Sequence, residues 1–305
     1  MDLSIIIVSW NTRELLAACL SSLRAYPPEG FTYETWVVDN ASSDGSAAMV
    51  RQEFLEVHLL ESGGNLGFAG GNNLAIAQSD GRYLLLLNPD TELLPGALTA
   101  LLTFMERHAE AGGAGSRLLN PDHTLQPSCH PLPTLTGEFW RLLHLDLLLP
   151  HGVYKMHRWD TAVPRQVDIV QGASFILRRS VLEKVGLLDD SYFMYSEEVD
   201  LCYRIKRAGW PLYWVPESQV IHYGGQSTRQ AAAQMFVELY RGKVQYFRKN
   251  QGAVVAAVYK AILFLAALPR LPLLVVGHLL PGERGKACVR LGKHYGRLLR
   301  ALPKL

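Results

Sequence analysis

Four leucines run directly into Asn88-Pro89-Asp90 within the stretch LLLLNPDTELL. The apolar run is typical of a buried strand, and Pro89 ends it because proline has no N–H to donate to a ladder. Asp90 therefore falls just outside the strand. Its carboxylate is a hard oxygen ligand of the kind that Mg²⁺ or Mn²⁺ takes beside substrate phosphates. A turn or helix-capping aspartate is the alternative for this motif taken alone.

A group of carboxylates lies in SEEVDLCYR, where Glu197, Glu198 and Asp200 occupy the first turn of a predicted helix. Acids at this position complement the helix dipole, and Asp200 with Arg204 forms an i,i+4 pair, so a structural role is open. The preceding residues, DDSYFMY, are aromatic and predict an apolar wall beside the glutamates. Burial and a like-charged neighbour raise a carboxylate pKa toward neutrality, which suits a general base.

Asp39 closes another apolar run, in the segment VVDNASSDGS, and two roles are open for it as well. Asn, Ser and Gly crowd the segment, so Asp39 can be a turn residue. Its carboxylate can equally accept hydrogen bonds from a nucleotide base or ribose. His222, in QVIHYGGQS, is a structural histidine unless the fold places it beside Asp90.

The glycine-rich segment GGNLGFAGGNN, residues 63–73, opens a predicted helix. Its backbone can approach a ligand closely, and the helix N-terminus can favour an anion. The segment is in the wrong place for a dinucleotide-binding fold, which has its glycines directly after the first strand, and no Walker A lysine pattern occurs. The sequence therefore disfavours NAD enzymes and P-loop ATPases.

The elements that must position these residues alternate between strand and helix over the first 110 residues. Strands are predicted at 3–9 and 33–38 and in VHLLES and RYLLLLNPD, with Asn11 or Thr12 capping the first helix and Ser46 the second. This alternation predicts a parallel sheet with helices on both faces. Ligands of such sheets bind beyond the carboxyl ends of the strands, which here carry Ser9, Asn11, Asp39, Asn65, Asn88 and Asp90.

Residues 116–165 read as a long excursion that contains a helix near 135–149. The segment VDIVQGASFILRR then predicts a strand, a glycine turn and a second strand, and PLYWVPESQVIHYGG a later strand. From about residue 231 the chain reads as helix. We therefore divide the chain into three predicted parts, at 1–115, 116–230 and a helical extension at 231–305.

The 305 residues carry a formal net charge of +2 and a mean hydropathy of +0.06, which gives no sign of a nucleic-acid partner. Four scattered cysteines form neither a disulfide framework nor a zinc motif and are read as reduced cytoplasmic thiols. The start, MDLSIIIVSW, does not resemble a signal peptide. The most apolar stretch, 253–280, is interrupted as a membrane span by Lys260, Pro269, Arg270, Pro272 and His278.

Basic residues recur at helical spacing near the C-terminus, and apolar residues lie on another face of the same predicted helix. A basic amphipathic helix is typical of binding to anionic lipid. We expect peripheral contact with the cytoplasmic face of the plasma membrane, and packing on the preceding α/β domain or in a dimer interface is the alternative. The basic set is Arg290, Lys293, Arg297 and Arg300, and the apolar set is Leu291, Tyr295, Leu298 and Leu302.

Six motifs occur in one order that resembles family 2 glycosyltransferases, in particular their bacterial rhamnosyltransferase-like branch. They are SIIIVSWN, VVDNASSDGS, GGNLGFAGGNN, LLLLNPDTEL, GASFILRRSVLEKVGLLDDSYFMYSEEVDLCYRIKRAGW and IHYGGQST. The resemblance covers roughly residues 1–230 and implies a nucleotide-sugar-binding half at 1–115 and an acceptor-binding and catalytic half at 116–230. It implies a GT-A fold, a doubly wound mixed sheet, and transfer of a sugar from a nucleoside diphosphate donor with inversion and a divalent metal, Mg²⁺ or Mn²⁺.

On the donor side, the resemblance implies that Asp39 holds the nucleotide base and that Asn65 forms the wall of the donor pocket. Asn88-Pro89-Asp90 matches the D-x-D motif of the family, so Asp90 is the implied metal ligand. Asn88 stands where the family has its first aspartate. This substitution lowers the local negative charge and is expected to weaken metal binding.

On the acceptor side, Gly172 and Ala173 resemble the loop that faces the sugar and the acceptor. Glu197 and Glu198 match the acidic pair of the family, and the resemblance makes Glu198, its second member, the implied catalytic base. His222 matches a histidine that completes the metal site in some members.

The family label implies L-rhamnose from a dTDP- or UDP-linked donor, and a cell-surface glycan or lipid-linked molecule as the acceptor. Galactofuranose, galactose and N-acetylglucosamine are alternative sugars. A non-catalytic nucleotide-sugar-binding subunit of a membrane assembly is a further alternative, because Asn88 removes a carboxylate from the metal motif. An unrelated doubly wound nucleotide-binding protein would leave the acidic pair and His222 unexplained.

Overall fold

The computed structural model describes residues 1–149, 151–226 and 230–305, so the last two residues of IHYGGQST lie outside the described part. The chain forms two units. The first comprises Met1–Leu132, Tyr154–Phe193 and Glu197–Gln230, and the second comprises Pro133–Val153, Met194–Ser196 and Ala231–Leu305. The predicted borders after residues 115 and 230 stay predictions.

Strands dominate the first unit. In chain order they are β1 (Leu3–Ser9), β2 (Tyr33–Asp39), β3 (His58–Glu61), β4 (Tyr83–Leu87), β5 (Thr91–Leu93), β6 (Gly113–Leu119), β7 (Cys129–His130), β8 (Arg165–Val167), β9 (Ile169–Val170), β10 (Ser174–Arg178) and β11 (Leu212–His222). Nine of them form one mixed sheet in the order β3-β2-β1-β4-β10-β6-β11-β5, with β8 on β11, while β7 pairs with β9.

The helices follow in chain order as α1 (Arg13–Ala25), α2 (Ser46–Glu53), α3 (Gly67–Ile76), α4 (Ala97–Arg107), α5 (Leu135–Leu142), α6 (Arg179–Val185), α7 (Glu197–Arg207), α8 (Ala232–Gln251), α9 (Ala253–Ala267), α10 (Leu273–Leu279) and α11 (Gly282–Ala301). In the first unit they cover both faces of the sheet. Ile5 and Ile7 of β1 enter the core that holds α1, α2 and α4, whereas Ile6 enters the core with α3, α6 and α7. Both faces are buried, so the strand sequence is apolar without alternation.

Pairing register brings the polar strand ends to one edge of the sheet. Ser9 pairs with Asp39 in the parallel β1–β2 pair, and Leu87 of β4 pairs with Ile7. The antiparallel strand β10 begins opposite the end of β4, where Ser174 pairs with Leu87. Residues 172 and 173 therefore reach the edge at which Asn88 follows β4.

The second unit holds a buried ion cluster. Glu138 of α5 is only 7% exposed, and its carboxylate accepts hydrogen bonds from Lys243 Nζ at 2.7 and 3.0 Å. Arg141 donates to the same carboxylate at 2.7 Å, and the Tyr259 hydroxyl donates to it at 3.0 Å. Three donors from α5, α8 and α9 thus compensate one buried negative charge and link these helices.

Several local predictions need correction. The short strand β5, within the region predicted to be all parallel, runs antiparallel to β11. The sheet is parallel from β3 to β4 and again between β6 and β11, and β10 runs antiparallel between these two parts. The predicted helix at 135–149 ends at Leu142 and is followed by a short 3-10 turn. Ser46 does not cap α2 but is its first residue, and its N–H and hydroxyl both donate to Asp44. Thr12, one of the two predicted candidates, is the N-cap residue of α1.

Candidate active site

Asp90 and His222 lie side by side although 132 positions separate them. The distance between Asp90 Oδ1 and His222 Nε2 is 3.3 Å, and both side chains are buried, with 6% and 4% exposure. The antiparallel pairing of β5 with β11 accounts for this, because it places His222 opposite Thr91. Asn88 Nδ2 is 3.4 Å from the same histidine nitrogen. The three predicted residues therefore converge on one point.

Gln126 fixes the tautomer of His222. Its side-chain Nε2 donates to Asn120 Oδ1 and to the backbone oxygen of His222, both at 3.0 Å, so its Oε1 must be the acceptor that faces the ring. His222 Nδ1 lies 2.7 Å from that oxygen and donates to it. With Nδ1–H donated to Gln126, the neutral form of the ring would present its Nε2 lone pair to a metal held beside Asp90.

This pair of side chains fits a divalent metal. Two ligands about 2.1 Å from one ion and at a right angle to each other lie about 3.0 Å apart, close to the observed 3.3 Å. An imidazole nitrogen favours Mn²⁺ over Mg²⁺, whereas the carboxylate accepts either ion. No group of three or more His, Cys, Asp or Glu side chains suited to a metal occurs in the described part of the chain. Diphosphate oxygens or water would supply the other ligands.

Asp39 lies at the end of β2 and is 4% exposed. Its Oδ2 accepts a hydrogen bond from the N–H of Ser42 at 3.0 Å, whereas Oδ1 has no partner among the described residues. A buried carboxylate oxygen without a donor is costly. The arrangement therefore leaves one acceptor for an N–H or O–H group of a ligand.

The glycine-rich segment packs against protein near its middle, at Gly67. Gly67 has a φ of +71°, and a β-carbon built on it would lie 2.1 Å from the backbone oxygen of Phe193. Phe68 N–H donates to that oxygen at 3.2 Å. Asn65 is exposed, and its Oδ1 accepts from Gly67 N–H at 3.0 Å. The absence of a side chain at Gly67 therefore lets its backbone pack against that of Phe193.

Gly172 and Ala173 connect the metal pair with the acidic pair. The Ala173 backbone oxygen accepts from Asn88 N–H at 3.0 Å. A β-carbon built on Gly172 would lie 3.0 Å from the Phe68 ring and 4.0 Å from Cβ of Glu198. A side chain at position 172 would therefore crowd the Phe68 ring, while Glu198 lies at ordinary contact distance on the same side.

The two glutamates differ in environment. Glu197 is 4% exposed, and its Oε2 has no hydrogen-bond partner within the described ranges. Burial and the neighbouring Glu198 carboxylate raise the pKa of Glu197 well above its usual value. Glu198 is half-buried. A protonated Glu197 lets the negative charge of the pair reside on Glu198.

The other predicted donor-binding residues lie at the same edge with partners of their own. Ser9 Oγ is 3.0 Å from Thr12 Oγ1. Asn11 has a φ of +51°, and its Oδ1 accepts from Ser43 N–H at 2.7 Å. The sequence did not identify Gln126, because it lies in the segment read as an irregular excursion and no local pattern connects it with His222.

Comparison with known sequences gives several matches. A profile for "Glycosyl transferase family 2" matches residues 4–186. The "N-acetylglucosaminyl-diphospho-decaprenol L-rhamnosyltransferase" of Mycobacterium tuberculosis is 32% identical over 215 residues, which are 63% of this chain and 67% of that protein. "Rhamnosyltransferase WbbL" of Escherichia coli is 27% identical over 255 residues, which are 81% of this chain and 93% of that protein.

Solved structures share the fold. A mannosyltransferase from Pyrobaculum calidifontis in complex with GDP-Man and Mn²⁺ aligns over 99% of this chain and 87% of its own, with a TM-score of 0.57 and 16% identity. GalNAc-T7 with UDP, GalNAc and Mn²⁺ aligns over 82% of this chain and 51% of its own, with a TM-score of 0.56 and 14% identity. Likeness at these identities shows the fold, and the predicted GT-A fold is confirmed.

Proposed function

Since this chain belongs to glycosyl transferase family 2, we propose that it transfers L-rhamnose from a nucleoside diphosphate donor to an acceptor hydroxyl with inversion. One observation carries the proposal. Asp90 and His222 meet at the sheet edge, and Asn88, Ala173 and Gly172 join them to the acidic pair. A diphosphate-binding position and a base therefore belong to one connected site.

Glu198 is the general base in this proposal. It takes the proton of the acceptor hydroxyl as the oxygen forms its bond to the anomeric carbon, and the bond to the diphosphate breaks on the opposite face. A well-placed base contributes about 10²–10⁴-fold to the rate. Burial and the Glu198 carboxylate raise the pKa of Glu197, so that a proton shared by the pair is held more firmly by Glu197 and the negative charge falls on Glu198.

The donor side uses the other groups of the site. Asp39 Oδ1 accepts a hydrogen bond from the nucleoside, and Asn65 borders the pocket. Asp90 and His222 would hold a divalent metal, which when bound supplies a Lewis acid for the charge on the departing diphosphate. Gln126 keeps the lone pair of His222 Nε2 directed at that position.

The sugar and the acceptor follow from the relatives. Two of them are named as rhamnosyltransferases, and the name of the mycobacterial protein places its acceptor on diphospho-decaprenol. We infer a lipid-linked acceptor for this chain too. We place the protein at the cytoplasmic membrane surface rather than across the membrane. The stretch Ala253–Leu279 is apolar, and only 22% of its most apolar part is buried, but a 3-10 turn at Leu268–Arg270 interrupts it. A buried core helix would not expose such a surface.

The test is a screen for nucleotide release with UDP-, dTDP- and GDP-sugars, with and without Mn²⁺ or Mg²⁺ and with a supplied hydroxyl acceptor. We expect turnover with dTDP-rhamnose and Mn²⁺, and loss of about 10²-fold or more in Glu198→Gln and in Asp90→Ala. Glu183→Gln removes an exposed acid of α6 and should leave the rate unchanged. Full transfer by Glu198→Gln would refute the assignment of the base. Turnover with another sugar nucleotide instead would assign that sugar in place of rhamnose. Absence of turnover with every donor would favour a non-catalytic subunit.

A further inference from the structure

Charge is unevenly distributed along the chain. Nine of the 30 Lys and Arg residues, but only one of the 28 acidic residues, fall within residues 253–305. The same segment exposes large apolar side chains, among them Val275 at 68%, Leu279 at 79% and Leu280 at 43%. This part of the second unit therefore combines strong positive charge with apolar surface.

Helices α10 and α11 pack very closely. A β-carbon on Gly277 would lie 2.8 Å from the backbone oxygen of Gly285, and one on Gly285 would lie 2.6 Å from that of Gly277. Gly292 is equally confined, with Leu274 Cγ at 2.8 Å from its built β-carbon. Backbone contact of this kind leaves little freedom for one helix to move against the other.

Beside this contact lies a cavity of about 610 Å³ with a basic lining. Four cations of α11 recur at intervals of four, three and four residues and so share one face of the helix. Within the described ranges, Arg290, Lys293 and Arg297 make no ion pair, whereas Lys286 pairs with the exposed Glu283 at 2.8 Å. Burial and the charges of Arg297 and Arg290 lower the pKa of His294. The charged lining is Lys286, Arg290, Lys293 and Arg297, with His278 and His294 beside them.

We propose that this cavity binds the diphosphate headgroup of the lipid-linked acceptor, an inference that rests on the proposed function. Several cations around one cavity match a compact anion of two or three charges. The exposed Leu279 and Leu280 beside it offer apolar surface to the first carbons of a lipid chain. A second copy of the chain is a poorer occupant, because it would bring the same excess of cations to the interface.

The test uses the full-length chain and farnesyl diphosphate, a short prenyl diphosphate, titrated calorimetrically in EDTA. The variant Arg290→Gln/Lys293→Gln/Arg297→Gln removes three cations from the cavity. Each cation near an anionic surface contributes about 1 kcal/mol, so the affinity should fall about 100-fold. Arg284→Gln/Arg300→Gln/Lys304→Gln removes the same charge outside the cavity and should bind within about threefold of the parent. All six side chains are exposed, and circular dichroism checks that both variants fold.

Two further arms separate the sources of phosphate. Inorganic diphosphate should bind at least about tenfold more weakly than farnesyl diphosphate, because it lacks the apolar tail. Vesicles of phosphatidylcholine with phosphatidylglycerol should bind both triple variants equally, because attraction to a charged surface depends on the total charge and both variants lose the same charge. Equal loss of farnesyl diphosphate binding in the two variants would overturn the proposal, and so would equal affinity for the inorganic ion.

A control must show that farnesyl diphosphate does not bind at the donor site. Asp90→Ala should bind farnesyl diphosphate as the parent does, and loss of binding in this variant would overturn the proposal. If the headgroup does not bind while nucleotide-sugar turnover persists, the cavity assignment alone fails. If the headgroup binds in the cavity but no sugar nucleotide turns over, the proposed function fails and the cavity stands as a site for a lipid diphosphate.

Discussion

Replacing Gly67 with alanine should destabilise the first unit more than any equivalent change in the same segment. Two effects add at this position. The φ of +71° is unfavourable for alanine by about 1–2 kcal/mol. The new β-carbon would also lie 2.1 Å from the backbone oxygen of Phe193, which must move by about 1 Å to reach ordinary contact, and overpacking of this kind costs about 1–3 kcal/mol. The sum is about 2–5 kcal/mol.

The segment supplies its own controls. Gly63 has nearly the same φ, +70°, but a β-carbon there would meet no described atom within 4 Å. Gly63→Ala should therefore show the backbone effect alone, about 1–2 kcal/mol. A β-carbon on Gly64 also meets nothing within 4 Å among the described residues, and Gly64→Ala should change stability by less than about 1 kcal/mol.

Urea unfolding followed by tryptophan fluorescence gives the three free energies of unfolding. Nucleotide binding by calorimetry gives a second measure, because Gly67 N–H donates to Asn65, the predicted wall of the donor pocket. We expect Gly67→Ala to weaken binding and Gly64→Ala to preserve it. If Gly67→Ala were no less stable than Gly63→Ala, contact with the Phe193 carbonyl would not be the cause, and the reasoning from close packing would be refuted.

Three further changes test buried polar groups. Glu197→Gln should raise the melting temperature, and the gain should grow as pH rises. The raised pKa of Glu197 means that the folded chain binds more protons than the unfolded chain above about pH 4.3. The parent protein therefore loses stability as pH rises toward that pKa, and the glutamine variant does not. Gln126→Leu should weaken Mn²⁺ binding about 10–100-fold in paramagnetic resonance titrations, because the acceptor that holds His222 Nδ1–H is lost. Lys243→Met should lower the free energy of unfolding by about 3 kcal/mol in urea, since it removes a cation that pairs with buried Glu138.

Matched variants show what would contradict each expectation. Glu183→Gln, at an exposed acid, should leave the pH profile of stability unchanged. A change like that of Glu197→Gln in this variant would show that burial of Glu197 is not the cause. Gln126→Glu keeps an acceptor and should retain more Mn²⁺ affinity than Gln126→Leu. Glu138→Gln/Lys243→Met removes both charges and should be more stable than Lys243→Met alone, and the opposite order would exclude an uncompensated charge as the cause.

The sequence was most informative where a single strand determined the outcome. An apolar run followed by Pro89 located the end of β4, and the first four strands pair in parallel as expected. It was less informative where strands distant in sequence combine. No local pattern indicates that β10 runs antiparallel between β4 and β6, yet this pairing brings Ala173 to Asn88. The motif resemblance supplied the role of His222, and the β5–β11 pairing supplied its position.

Asn88 connects these observations. Its backbone N–H donates to Ala173 and its backbone oxygen accepts from Thr91 Oγ1 at 2.7 Å, so its position is fixed independently of any metal. Its side-chain nitrogen faces His222 Nε2, where an aspartate would add a second negative charge beside Asp90. With one carboxylate and one imidazole, a bound metal would depend on diphosphate oxygens for its remaining ligands. Metal and donor should then each raise the affinity of the other by the same factor, because coupling between two sites is reciprocal. A missing carboxylate is in this sense compatible with catalysis, since the metal needs to be held only while the donor is bound.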